Sequence, residues 1–352
     1  MKTNNKFIKI LVPALSILCS FLVGAILIAV VGGNPLEAYH YLFQGAFGNI
    51  SNFGETVVKA VPLIFTGLAA TFAYKCGVFN LGAEGQFVMG AVASIWVATT
   101  VTFLSGVPLL IFSLLCGALA GGFWGCIPGI LKVTRGLNEM IVSIMLNYVA
   151  ILFMGYIYTN PLRDGNLPQT AAVSVKLARF VGGTRIHAGI IISLVLAIGI
   201  HYFLFYTSKG FQLRAVGLNQ TASLYNGFPV KKLMLISFIM SGAIAGLGGS
   251  VELHGTQFRL MAGFGDGYGF DGVAIALIGQ LNPLGTVAVA YLFAVLRSGA
   301  TTMQVGTGLP TSVIDIIQAL VIIFAVAGSA FVNLPKIRQF LTSLSPKSKK
   351  EA

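Results

Sequence analysis

The amino-acid sequence predicts an all-α polytopic membrane protein. Of its 352 residues, 56% are apolar and only 9% are charged, whereas a soluble fold carries roughly a quarter of its residues charged. The apolar residues gather into about ten runs, most of them near the ~20 residues that one helical crossing requires. Glycine is abundant, at 43 residues, and recurs every fourth residue in places, as packing between helices in lipid favours.

The runs lie near 8–32, 57–74, 84–104, 107–131, 138–158, 187–206, 233–253, 268–281, 285–299 and 311–331. The first follows Lys2, Lys6 and Lys9. Its apolar stretch, Ile10 to Val31, is too long for the core of a secretory signal and ends in Gly32-Gly33-Asn34-Pro35 without a small-x-small cleavage pattern, so it reads as a retained span. In the fourth run Gly117, Gly121, Gly125 and Gly129 line one face, and Gly242 and Gly246, followed by Ser250, repeat the device in the seventh. The eighth and ninth runs are short and parted by Asn282-Pro283, the mark of a broken or re-entrant helix. No separate soluble domain interrupts the series, so residues 1–352 read as a single transmembrane domain.

The formal net charge of +12 sets orientation, not nucleic-acid binding, because the basic residues sit between apolar runs. With the N-terminus cytoplasmic, the inner segments collect Lys2, Lys6, Lys9, Lys75, Lys132, Arg135, Lys209, Arg214, Lys231, Lys232 and the basic tail at 332–352. Both termini are then cytoplasmic. The outer segments hold Arg163, Lys176, Arg179, Arg185 and Arg259, most of them in the long loop from Thr159 to Arg185, which reads as a small extracytoplasmic cap.

The motifs of soluble chemistry are missing. There is no HExxH, GxSxG, CxxC or P-loop, and the dipeptide Gly-Lys does not occur. ATP therefore cannot bind through a P-loop of this chain. The four cysteines have no metal-ligand spacing, and no metal or cofactor is expected. His40, His187, His201 and His254 are scattered and receive no role.

Four places set polar groups among apolar ones. At the threshold of the third run, Asn80, Glu84 and Gln86 follow glycines that weaken a helix; this is either a broken helix lining a solute path or a capped helix N-terminus. In the fifth, Asn138 and Glu139 are followed two turns later by Asn147 on the same face, either a functional carboxylate-amide pair or interhelical hydrogen bonding. The third place runs from Gly263 to Gly285, with Asp271 and Gln280. It has the character of the first, as a five-plus-five internal repeat would require. The fourth is the loop 208–232, where Thr221 to Tyr225 can form a short helix capped by Asn219 and stopped by Asn226-Gly227-Phe228-Pro229. Such a helix is a candidate docking surface for a soluble partner.

The segments GVFNLGAEGQFVMGA (77–91), GLNEMIVSIMLNY (136–148), LRAVGLNQTASLYNGF (213–228) and GFDGVAIALIGQLNPLGTV (269–287) resemble, in that order, the membrane subunits of bacterial ABC importers for simple sugars, nucleosides and branched-chain amino acids. The resemblance is greatest to nucleoside-type permeases that work with a Bmp-family lipoprotein, and it extends from the first run to the tenth. It implies a permease subunit without enzymatic activity of its own, in a bacterial cytoplasmic membrane. It further implies a cytoplasmic ABC ATPase, a second, homologous permease chain, and a surface-tethered lipoprotein that delivers a nucleoside or sugar. On the same basis Arg214, Gly217, Asn219, Ala222, Tyr225 and Gly227 mark the loop that seats in the ATPase. Asn80, Glu84, Gln86, Asn138, Glu139, Asn147, Asp271 and Gln280 are the candidates for the solute path under alternating access. The competing expectation is an autonomous ion-coupled transporter titrating Glu84, Glu139 or Asp271.

Overall fold

The structure is a computed structural model that describes residues 6–265, 267–310 and 312–331. The basic tail at 332–352 lies outside the described residues. Thirteen α-helices are present among them: α1 Lys6–Val30, α2 Pro35–Phe47, α3 Ile50–Lys75, α4 Ala83–Thr100, α5 Gly106–Arg135, α6 Glu139–Thr159, α7 Gly189–Tyr206, α8 Ser208–Leu218, α9 Gln220–Tyr225, α10 Val230–Glu252, α11 Tyr268–Ile278, α12 Pro283–Thr307 and α13 Ser312–Phe331. A π-helical turn, Leu253–Gln257, follows α10. No strand is formed among the described residues, only isolated bridges.

Each of the ten apolar runs falls on one of these helices. Among the described residues, six helices are long and apolar enough to cross a membrane: α3, α5, α6, α7, α10 with its π turn, and α12. A seventh is added if α1 and α2, bent by 119° at the Gly32–Asn34 break, count as one. The protein is an all-helical, multi-pass membrane protein. Among the remaining helices, α4 brings Glu84 and Gln86 into its own first turn.

The chain divides into two compact units, residues 1–52 with 295–352, and residues 53–294. In the first, α1, α2, the second half of α12 and α13 bury Ile28, Leu42, Leu296, Met303, Ile314 and Ile317. Gly299 is required there, since a Cβ would strike the carbonyl of Leu42.

In the second unit, α4, α5 and α10 form the closest-packed group. The two glycine ladders face each other: a Cβ on Gly121 would overlap the carbonyl of Gly242, one on Gly246 would overlap that of Gly117, and Gly125 lies against the Phe238 carbonyl. Gly129 packs on Leu235 and Phe238. Backbones approach this closely only where side chains are absent, which gives helices in lipid the van der Waals contact that holds them. Ser250 Oγ donates to the carbonyls of Gly246 (3.0 Å) and Gly90 (3.2 Å), tying α10 to α4. Helix α3, the most buried of the six, runs beside this group and is linked to α12 by Thr71 and Thr286, whose hydroxyls lie 2.9 Å apart.

The long loop after α6 carries no helix. It is stitched to the segment following the π turn by Thr170 N to Leu260 O (3.1 Å) and Val173 N to Phe258 O (2.9 Å).

Candidate functional site at a junction of helix N-termini

The chain after α3 forms no helix from Val78 to Gly82 before α4 begins. Gly77 makes the departure with φ +74°, a conformation glycine adopts without a Cβ clash. The polar residues of this entry are buried, so each must find a partner.

Asn80 finds four hydrogen bonds. Its Nδ2 donates to Gln86 Oε1 (2.8 Å) and to Ser241 Oγ of α10 (2.8 Å), while its Oδ1 accepts from Gly82 N (2.9 Å) and Gln86 Nε2 (3.1 Å). Ser241 Oγ in turn donates to Ala69 O of α3 (2.7 Å). Asn147 of α6 reaches the same place from the other side. Its Oδ1 accepts from Gly85 N (2.8 Å) and its Nδ2 donates to Leu81 O (2.9 Å). These three amides are spent on holding the α4 entry to α3, α6 and α10.

Glu84 does something different. It is buried in the first turn of α4, yet its carboxylate accepts from Gly267 N (3.0 Å) and Gly269 N (2.5 Å) at the start of α11. Two helix N-termini, each carrying about half a positive charge, thus converge on one carboxylate. Asp271 also stands in the first turn of its helix, as the fourth residue of α11, where Glu84 is the second of α4.

The other predicted path residues lie elsewhere. Asn138 is an exposed N-cap of α6, accepting from Met140 N (3.0 Å). Glu139 is buried and pairs with Lys132 of α5 at 2.8 Å. Gln280 is exposed in the turn between α11 and α12, at φ +56°. Of the eight path candidates, the structure brings Asn80, Glu84, Gln86 and Asn147 together at the α4 entry and places Asn138, Glu139 and Gln280 apart from them. Sequence reasoning missed Ser241, although that serine sits beside Gly242 in a stripe of small residues, and it missed Lys132, seven residues before Glu139 across the α5–α6 turn.

The loop 208–232 folds as two helices. The predicted short helix is α9, with Asn219 Oδ1 accepting from Ala222 N (2.9 Å). It stops where Gly227 takes φ +77° and Phe228 N bonds to Ser223 O (3.0 Å), a glycine-terminated C-cap. Ahead of it, α8 was not predicted. Gly217 of α8 lies on the Lys75 carbonyl at the end of α3, where a Cβ would overlap. Arg214 stacks over Phe205, 5.0 Å from the ring centroid. Ala222, Leu224 and Tyr225 are exposed. A groove of about 650 Å3 beside α9 is lined by Lys132, Gln220, Leu224, Phe228, Lys231 and Lys232.

At the opposite end of α10 a second buried polar group has no counterpart in the sequence reading. His254 Nδ1 lies 2.7 Å from Val175 O and its Nε2 3.1 Å from Ser94 Oγ. His187 Nδ1 accepts from Gly189 N (3.1 Å), leaving Nε2 toward Thr256 Oγ1 (3.4 Å). Burial first, then Arg179 and Arg185, lower the His187 pKa to about 4. Arg185 also donates to Thr256 O (3.1 Å) and pairs with Glu55 (3.4 Å). Among the described residues no cluster of three or more His, Cys, Asp or Glu side chains is arranged to hold a metal ion.

Residues 52–326 match the family described as branched-chain amino acid transport system / permease component. The chain belongs to that permease family. The guanosine ABC transporter permease protein NupP of Bacillus subtilis is 39% identical over 91% of this chain and 94% of its own. The nucleoside ABC transporter permease protein NupB of Lactococcus lactis is 34% identical over 99% of both. The glucose ABC transporter permease protein TsgB13 of Haloferax volcanii is 35% identical over 91% of this chain and 87% of its own. Each of the two bacteria also carries a second permease of the kind, NupQ and NupC, that matches 69% of this chain at 26% and 25% identity. No solved structure matches. As a permease of this family, the chain is a membrane-spanning subunit of an ABC transporter, and the N-termini of α4 and α11 converge within it on Glu84.

Proposed function

We propose that this chain is the longer of two permeases in a bacterial ABC importer that carries a nucleoside across the cytoplasmic membrane by alternating access. The observation that carries the reading is the near end-to-end similarity to two nucleoside permeases, at 39% and 34% identity. The second permease is a homologous chain, in the manner of the paired NupP and NupQ. A surface-tethered lipoprotein delivers the solute, and a separate ABC ATPase drives the cycle by seating α9 and the loop 208–232.

The ten apolar runs are then ten crossings in two inverted halves, with both termini cytoplasmic. Support for the repeat comes from α4 and α11. Each begins after a glycine-containing, non-helical stretch, each carries a carboxylate in its first turn, and Glu84 joins the two. Support for the docking loop comes from α9, which is capped at both ends yet presents Leu224 and Tyr225 to solvent.

A sugar as solute is the second reading, favoured by the 35% identity to a glucose permease. Uptake of radiolabelled guanosine and glucose in a strain deleted for this chain separates them. Loss of guanosine uptake with glucose unaffected is the expected result. Loss of glucose uptake alone would transfer the assignment to the sugar. A purified chain that brings down no ATPase and transports in liposomes on an ion gradient alone would overturn both.

A further inference from the structure

A polar groove of about 220 Å3 opens where the α2–α3 turn meets the last turns of α12. Its walls include Tyr41, Gln44, Asn49, Asn52, Thr302 and Gly306. Three carboxamides, a phenol and a hydroxyl line it, and no charged side chain does. The geometry is fixed from beneath. Asn52 Nδ2 donates to Gln44 O (3.0 Å), and Asn52 N donates to Asn49 Oδ1 (2.7 Å), so Asn49 is held by its oxygen. Gly306 lies flat against the Tyr41 ring, whose Cγ would be 2.6 Å from any Cβ there.

This leaves the Gln44 carboxamide, the Asn49 amino group and the Tyr41 hydroxyl without a hydrogen-bond partner among the described residues. The contrast with Asn80, Gln86 and Asn147 is direct, because those amides are consumed by internal bonds.

We propose that this groove is a recognition subsite for the hydroxylated ring of a neutral solute. The inference rests on the reading of the chain as a nucleoside or sugar permease, and it deepens that reading by naming the residues. Amides and hydroxyls both donate and accept, as a polyol requires. The volume is below the ~300–1,000 Å3 of a pocket that encloses a drug-sized ligand, so it takes one ring and leaves the rest of the solute on the open side. With no cation in the walls, a phosphate attached to that ring loses hydration at the groove mouth without compensation, so the groove disfavours nucleotides relative to nucleosides. The ring chemistry is shared by the ribose of a nucleoside and by a free hexose.

Saturation-transfer NMR on the purified complex, without the lipoprotein, tests this with guanosine, guanine, glucose and guanosine 5′-monophosphate as probes. Transfer to the ribose protons of guanosine, weaker transfer to the monophosphate and none to guanine is expected; transfer to glucose as well would assign the subsite to hexoses and ribosides alike. Gln44→Met keeps the side-chain length, and Asn49→Asp keeps the oxygen that caps α3 while removing the amino group. Each should weaken binding about fivefold, the effect of one lost hydrogen bond. Transfer confined to the base protons, monophosphate binding equal to that of guanosine, or unchanged binding in both variants would overturn the subsite. The failure of the functional reading is distinguishable. In that case the wild-type complex, with its lipoprotein, takes up neither guanosine nor glucose.

Discussion

Glu84 Oε2 accepts a hydrogen bond from the backbone nitrogen of Gly269 at 2.5 Å, across 185 residues of chain. The contact joins the first turns of α4 and α11, and Gly269 has no room for anything larger, since a Cβ there would overlap the Glu84 backbone. Hydrogen bonds to a charged acceptor contribute about 1.5–3 kcal/mol, and the two helix dipoles add to that. Glu84→Gln keeps one acceptor and loses the charge. It should lower stability by about 1–3 kcal/mol, read as a drop in Tm of the detergent-solubilised protein, and Glu84→Ala should lower it further. A Glu84→Gln protein with the wild-type Tm would show that the charge is not what holds the junction.

The glycine ladders predict a steep dependence on position. Gly246→Val places methyl groups into the Gly117 carbonyl, and Gly121→Val into that of Gly242. Both should exceed the ~1–3 kcal/mol of an overpacked core and abolish recovery of monodisperse protein. For Gly122, one residue along, a Cβ would meet nothing closer than the Ile239 carbonyl at 3.3 Å and the Ala243 methyl at 3.4 Å. There Gly→Ala gains up to about 1 kcal/mol of helix propensity against a slight crowding, and the variant should purify like the wild type. Equal yields from Gly246→Val and Gly122→Ala would mean that α5 and α10 do not pack through these faces.

Much of this was legible in the sequence because it is local. Glycine spacing named the packed faces of α5 and α10, and apolar runs located every helix that approaches the length of a crossing. Asn219 and the Asn226-Gly227 pair bracketed α9 through cap chemistry alone. What stayed hidden is non-local. The partner of Asn80 is Ser241, 161 residues away, and that of Glu84 is a backbone nitrogen with no side-chain signature. Consequently the sequence marks Asn80 and Asn147 as polar groups among apolar ones, but not the elements they tie together. Helix α8 escaped notice because it buries only Gly210, Leu213 and Val216, too few to make an apolar period. The histidines near run boundaries looked incidental, yet His187 and His254 are buried and paired through the loop after α6.

His187 makes stability depend on pH. Its folded pKa of about 4 lies below the ordinary 6.5, because burial and two arginines oppose the imidazolium. Between those values the unfolded chain binds the proton and the folded one does not, so protonation favours unfolding. The contribution is complete above pH 6.5 and is lost as the pH falls toward 4, at up to about 1.4 kcal/mol per unit. Tm should decline over that window. His187→Gln, which cannot titrate, should remove the His187 share of the slope while lowering Tm at pH 7.5. An unchanged slope in the variant would place the acid sensitivity elsewhere.

The last prediction concerns α9, where fold and function part company. Tyr225 is 87% exposed and Leu224 64%, so truncating either removes almost no internal contact, and surface substitutions of this kind stay within about 0.5 kcal/mol. If the loop 208–232 seats in an ATPase, the same truncations remove apolar anchors from an interface, where a few side chains carry most of the energy. Tyr225→Ala and Leu224→Ala should therefore leave Tm unchanged while reducing ATPase copurification and solute uptake. Asn219→Ala acts differently. It removes the acceptor for Ala222 N, about 1 kcal/mol for an N-cap, from a helix of only six residues, and so melts the element without touching its exposed face. Uptake should fall in all three variants, and restoring the cap with Asn219→Asp should recover it. Full uptake and undiminished ATPase recovery in Tyr225→Ala and Leu224→Ala would remove α9 from the interface and leave the basic groove of Lys132, Lys231 and Lys232 as the contact to test next.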